Sequence, residues 1–286
     1  MTSFPSPLIT LTTDFGNRDG YAAAMKGAIL TVCPGARIID ITHEIDAHDV
    51  AQASQVLASA TPYYPPDTIH VVVVDPGVGS DRQPLLLLTP DAGFVGPDNG
   101  VFTEVLKRLG KPVVPTIQVD AIVDHPGQTH RATLPADCTA YVIDHEDLWR
   151  QPVSQTFHGR DVFGPVAGRL GAGVAPDRIG TAIEYVEVLP DQSVRRQQGR
   201  IDGTVVSVDR FGNLVTNIRL ARSAKVTNIE IAGSRISSLS TFYTEAAGLL
   251  AIVGSHGSVE IAWTQDSAAR RLGVGVGTPV TVRGDL

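Results

Sequence analysis

Residues 71–82, VVVVDPGVGSDR, constrain this chain more than any other stretch. Four consecutive valines carry no polar alternation, so the strand they form needs apolar cover on both faces, as in a parallel sheet flanked by helices. The run stops at Asp75, Pro76 and Gly77, which puts a carboxylate at the carboxyl end of a strand. Ligands of open α/β sheets bind at such ends, and Gly77 and Gly79 let backbone approach a small molecule closely. Arg82 follows close enough in a turning loop to come back and face Asp75. A turn capped by Asp75, with Arg82 in solvent, accounts for the same residues equally well.

The preceding residues supply the crossovers that such a sheet requires. Residues 8–12 alternate as a strand and end at Thr13 and Asp14, a second acid at a strand end. Residues 20–32 predict a helix closed by Pro34 and Gly35, residues 37–41 a short strand, and residues 49–60 an Ala-rich helix stopped by Pro62. A β-α-β-α-β order implies parallel strands joined by right-handed connections. Strands at 85–89 and 93–95 and a helix over 101–109 extend the unit, and Asn99 and Gly100 of GPDNG read as a turn. Residues 112–148, with Pro115, Pro126, Pro135, His125 and His130, read as an irregular excursion. In TFHGRD, 156–161, His158 stands at the entry to a helix over 162–170 with its ring free to face a pocket, although a lone histidine there is more often structural.

The texture changes after Leu189. Residues 190–200 are polar, and beyond them short alternating runs at 201–208, 226–231, 259–263 and 280–282 predict a small antiparallel β-barrel. The expected division is an α/β domain over residues 1–192 and a β-barrel domain over 193–286, each large enough for its own core. In DRFGNLVTN, 209–217, a turn explains Gly212 and Asn213. Phe211 beside amide side chains also offers the flat surface and edge donors that a purine needs.

A net charge of −7 without any basic run argues against a nucleic-acid surface. No P-loop, HExxH or CxxC occurs, and no GxGxxG follows the first strand. Cys33 and Cys138 form neither a metal-ligand spacing nor a disulfide framework, which fits a reducing cytoplasm. Without a basic leader or a long apolar stretch, the expectation is a cytoplasmic protein with no membrane span.

Six blocks in order, TTDFG (12–16), DITHEI (40–45), VDPGVGSDR (74–82), GPDNG (96–100), TFHGRD (156–161) and DRFGNLVTN (209–217), resemble the adenosine-forming S-adenosylmethionine hydrolases. These are also called SAM hydroxide adenosyltransferases and are relatives of the fluorinase and chlorinase. The resemblance implies an N-terminal α/β domain with a mainly parallel sheet and a C-terminal antiparallel β-barrel. It implies a homotrimer with sites between the N-terminal domain of one subunit and the C-terminal domain of the next. The implied reaction is hydrolysis of S-adenosyl-L-methionine to adenosine and L-methionine, with no metal and no cofactor.

The fluorinase-like branch carries Tyr in place of Asp75, and Tyr and Ser in place of His158 and Gly159. The hydrolase set maps onto Asp75, Arg82 and His158, with Arg82 and His158 expected as a cationic pair that keeps Asp75 ionised and holds a water. By the same mapping Asp14 binds the ribose diol, Phe211 and Asn213 the adenine, and Asp209 the methionine ammonium. His48 stands where relatives place an aromatic over the ribose. Ser255 with His256 stands where the fluorinase has Ser and Arg for the methionine carboxylate. Two other readings use the same residues: a metal-dependent nucleoside hydrolase with Asp14, Asp19 and Asp75 as oxygen ligands, and a nucleoside-binding or sensing protein with negligible turnover. The intact Asp75, Arg82 and His158 set speaks against the latter.

Overall fold

The computed structural model describes residues 6–109, 129–221, 223–245 and 247–286. It divides into two units, Met1–Pro190 and Asp191–Leu286. In the first, β1 (Leu8–Thr13), α1 (Tyr21–Val32), β2 (Arg37–Thr42), α2 (Val50–Ala60) and β3 (Thr68–Val73) follow the expected order. They are followed by β4 (Pro84–Leu88), β5 (Ala92–Pro97), α3 (Thr103–Arg108), β6 (His130–Thr133), β7 (Thr139–Val142), α4 (Gly164–Gly171), β8 (Thr181–Ile183) and β9 (Tyr185–Val188). The main sheet runs β2-β1-β3-β5-β4-β7-β8, parallel from β2 to β5 and antiparallel beyond.

The valine run is covered on both faces. Val72 and Val74 pack on one side with Leu57, Leu85 and Phe102. Val71 and Val73 pack on the other with Ile9, Met25 and Val162. Each fully buried valine contributes about 1.5–3 kcal/mol of transfer free energy, which fixes β3 at the centre of the layers. Helix α2 starts where Asp49 accepts the Gln52 N–H at 2.8 Å, satisfying one of its free first-turn donors. Val162 begins no simple helix. A widened turn over Gly159–Phe163, closed by the Gly164 N–H on the Gly159 carbonyl, leads into α4 and leaves His158 at its entry.

The expected irregular excursion is corrected where it is described. Residues 110–128, which include Pro115, His125 and Pro126, lie outside the described residues. Residues 129–148 are ordered by two short strands: β6 pairs with β9, and β7 fills the place between β4 and β8. Strands of four residues paired with distant partners are too short to announce themselves by alternation.

The second unit contains β10 (Arg195–Gln197), β11 (Arg200–Val208), β12 (Leu214–Arg219), β13 (Lys225–Ile231), β14 (Ser234–Ile236), β15 (Leu239–Ser240), β16 (Leu249–Val253), β17 (Ser258–Trp263), α5 (Ala268–Leu272) and β18 (Pro279–Asp285). Among the described residues they form one nine-stranded sheet, antiparallel except for β15 on β16, that curls into an almost closed barrel. Ile201, Val205, Ile218, Ile229 and Ile261 fill it. No helix among the described residues is long and apolar enough to cross a membrane.

Candidate active site

Beyond β3 the chain turns sharply, with the Val78 N–H on the Asp75 carbonyl at 3.2 Å and the Ser80 N–H on the Gly77 carbonyl at 3.0 Å. This turn returns Arg82 to Asp75. The guanidinium grips the carboxylate as a fork, Nε donating to Oδ1 at 2.9 Å and Nη2 to Oδ2. Both side chains are more than nine-tenths buried. Phe163 lies under the guanidinium, its ring centre 5.2 Å from Cζ. Of the two readings of this stretch, the structure selects the ion pair over the solvated arginine.

Arg82 Nη2 also lies 2.9 Å from His158 Nδ1. A guanidinium only donates, so Nδ1 accepts and the ring proton sits on Nε2. Burial and the Arg82 charge hold the His158 pKa below its ordinary value, against the pull of Asp75 and Asp161. His158 is therefore neutral at pH 7, and the expectation of a cationic Arg82 and His158 pair is corrected. Among the described residues, Arg82 is the cation that pairs with Asp75. The loop bearing His158 is anchored by fully buried Asp161, which accepts from Arg160, Arg150 and the Ser154 N–H.

The first strand ends at the same face. Asp14 Oδ2 accepts the His48 N–H at 3.0 Å, so these two residues are brought together as one feature, with His48 held at φ 68°. Phe15, beside Asp14, meets Phe157, beside His158, edge to face at 5.6 Å, and Tyr21 packs 5.1 Å from Phe157. The Asp14 loop and the His158 loop thus share one wall. Next to them a cleft of about 1000 Å³ is lined by His48, Pro76, Arg82, Asp98, Asn99 and Glu187.

Asp98 and His43 carried no assignment from the sequence, and Asn99 was expected only as a turn residue. Asn99 donates from Nδ2 to the Val74 carbonyl at 3.0 Å, tying down the backbone immediately before Asp75. Asp98 is buried and takes the Glu187 N–H at 2.9 Å; burial pushes its carboxyl up to about 7. His43 places Nδ1 2.8 Å from Thr13 Oγ1, which accepts the Phe15 N–H at 3.2 Å, so both neighbours of Asp14 are held. The DITHEI block was the only signal for His43, and it carried no assignment.

In the second unit Asp209 Oδ1 accepts the N–H groups of Phe211 and Asn213 at 2.9 and 2.8 Å, and Oδ2 accepts Asn213 Nδ2 at 2.8 Å. Both carboxylate oxygens thus hold their own turn. Gly212 has φ +83°, and a Cβ there would fall 2.0 Å from Ser267 Oγ at the start of α5. Only glycine permits this approach. The turn leaves Phe211 77% exposed while Asn213 is buried. Ser255 and His256 lie side by side, Oγ to Nδ1 3.4 Å, in the exposed turn before β17. Among the described residues, no group of three His, Cys, Asp or Glu side chains could hold a metal ion.

Matches to known proteins extend over both units. The model of the SAM hydroxide adenosyltransferase N-terminal domain matches residues 9–180, and that of the C-terminal domain matches residues 203–281. The chain belongs to the SAM hydroxide adenosyltransferase family. The (R)-S-adenosyl-L-methionine hydrolase of Salinispora tropica is 36% identical over 286 residues, covering 97% of this chain and 98% of its own. The hydrolase of the same name from Thermus thermophilus is 34% identical, with 94% and 96% covered. The crystal structure of an uncharacterized conserved protein from Thermotoga maritima has a TM-score of 0.79 at 30% identity, covering 96% of this chain and 99% of that one.

Proposed function

We propose that this protein hydrolyses S-adenosyl-L-methionine to adenosine and L-methionine by in-line attack of water at C5′. The observation that carries this is the fork of Arg82 on Asp75 with neutral His158 on the same guanidinium. A sulfonium leaves as a neutral thioether and needs no protonation, so catalysis reduces to holding one water behind C5′. Positioning of this kind is worth roughly 7–11 kcal/mol at its limit. Asp75 accepts one hydrogen bond from the water and His158 Nε2–H donates to it, which turns a lone pair towards the carbon. A carboxylate is a weak base towards water, so the proton passes to Asp75 during or after C–O bond formation rather than before it.

The remaining contacts follow from the same placement. Asp14, fixed by the His48 N–H, binds the ribose diol, and His48 borders the sugar. Exposed Phe211 stacks on adenine and Asn213 reads its edge. Ser255 and Asp209 serve the methionine end, Asp209 through its charge because its oxygens already hold the turn. Residues 1–192 then carry the water and ribose contacts, and residues 193–286 the adenine and methionine contacts. The exposure of Phe211 supports a homotrimer in which the C-terminal domain of one copy completes the site of the next. The protein acts in the cytoplasm, without a cofactor.

The relatives' name specifies the R sulfonium epimer, and the same preference is proposed here. Incubation with each epimer, with and without EDTA, followed by chromatography, tests the assignment. Equal amounts of adenosine and methionine, formed faster from the R epimer and unaffected by EDTA, are expected. Turnover lost to EDTA and restored by a divalent ion would favour a metal-dependent nucleoside hydrolase. Binding without product would favour a sensor.

A further inference from the structure

The loop that carries Asp14 leans on one buried histidine. Strand β2 holds an extra residue against β1, since Leu11 pairs with Asp40 but Thr12 pairs with Thr42. Just beyond this bulge His43, 3% exposed, lies against fully buried Thr13, 30 positions away in the chain. The His43 carbonyl accepts the Gly16 N–H at 2.7 Å, and the Thr13 carbonyl accepts the Ile45 N–H at 3.3 Å. The backbone is thus tied to the DITHEI block on both sides of Asp14.

The side chains continue the same connection. Lys26 Nζ donates to Asp40 Oδ2 at 2.6 Å, and Asp40 Oδ1 lies 3.1 Å from His43 Nε2. That second contact falls short of an aligned hydrogen bond, yet Nε2 is buried and meets no other partner among the described residues. Burial acts to raise the Asp40 carboxyl, but Lys26 and His43 hold it below its ordinary value, so it is ionised at pH 7. A carboxylate only accepts, which places the His43 ring proton on Nε2 and leaves Nδ1 as an acceptor. Nδ1 is 2.8 Å from Thr13 Oγ1, so Thr13 donates its hydroxyl there while accepting the Phe15 N–H at 3.2 Å. Asp14, between Thr13 and Phe15, accepts the His48 N–H on Oδ2, and its Oδ1 accepts no bond from the described residues. Its aim is therefore set largely by the backbone that Thr13 and Phe15 hold. A carboxylate that meets two vicinal hydroxyls at once tolerates little rotation, and a misplacement of about 1 Å can cost roughly a hundred-fold.

We propose that His43 is a positioning residue for the sugar site: acting through Thr13, it fixes the aim of Asp14 and with it the preference for a ribose that carries both hydroxyls. This rests on assigning Asp14 to the ribose diol. His43 itself is too buried to touch the substrate.

Competition calorimetry on the full chain, with adenosine and 2′,3′-dideoxyadenosine as probes, tests this without requiring turnover. The wild type is expected to favour adenosine through the hydroxyls that Asp14 holds. In His43→Leu that preference is expected to shrink by about ten-fold, adenosine weakening while 2′,3′-dideoxyadenosine stays within about two-fold. Thr13→Val, which removes the linking hydroxyl at nearly constant volume, is expected to do the same, and Thr13→Ser to keep the wild-type preference. A preference in His43→Leu equal to that of the wild type, or equal weakening of both nucleosides, overturns the proposal. If circular dichroism shows that His43→Leu does not fold, Thr13→Val against Thr13→Ser is read by the same criterion. A wild type with no preference for adenosine would remove Asp14 from the diol and overturn this proposal with it. A wild type that shows the preference but never turns over S-adenosyl-L-methionine would instead sink the hydrolase assignment and leave this result standing.

Discussion

Asp75→Asn is expected to bind adenosine as the wild type does and to turn over S-adenosyl-L-methionine about a hundred-fold more slowly or worse. The substitution keeps the size of the side chain but replaces one acceptor oxygen with a donor NH₂. Arg82 presents N–H groups to both oxygens of Asp75. An amide therefore either meets the guanidinium donor to donor or turns its NH₂ towards the water. In either case the acceptor proposed to orient the nucleophile is weakened, while the proposed adenine and ribose contacts are untouched. Single-turnover rates with calorimetric adenosine affinity separate the two effects. Near-normal turnover in a folded Asp75→Asn would remove this residue from the reaction.

Arg82→Met should lower both turnover and stability. It leaves the Asp75 carboxylate, 6% exposed, without its ionic partner among the described residues and deprives His158 Nδ1 of a donor. Breaking a buried pair by removing one member typically costs about 3–5 kcal/mol, most of it the penalty of the stranded charge. Urea unfolding followed through the N-terminal domain is expected to show a loss of that order, and turnover should fall by at least the factor seen for Asp75→Asn. Arg82→Lys should recover part of the stability but little of the rate, because an ammonium cannot form the fork. A midpoint unchanged by Arg82→Met would mean that the pair is solvated and contributes little.

Much of the N-terminal domain was legible because its signals are local. Four valines in a row demand two apolar faces, and the residues that end each strand announce where the acids lie. The meeting of Asp75 and Arg82 was legible only as one of two alternatives, since a loop sequence does not state whether it returns. The charge of His158 was not legible, because it depends on a contact with Arg82 across 76 positions of sequence. The partners of Asp98 and His43 were hidden for a related reason. Each is a polar residue whose partner is set by tertiary packing, and hydrophobic periodicity records only which face is apolar. The short pairing of β6 with β9 joins residues far apart in the chain and left no alternation to read.

The central claim is that a water held by Asp75, Arg82 and His158 attacks C5′. An anion entering in its place would lie against the Asp75 carboxylate in a buried site, where the like-charge contact is strong. The most direct measurement is mass spectrometry of the nucleoside formed from S-adenosyl-L-methionine in ¹⁸O-labelled water containing high chloride. The account predicts adenosine as the only nucleoside product, with one labelled oxygen at the 5′ position. Detection of 5′-chloroadenosine, or of adenosine whose 5′ oxygen is unlabelled, would contradict it.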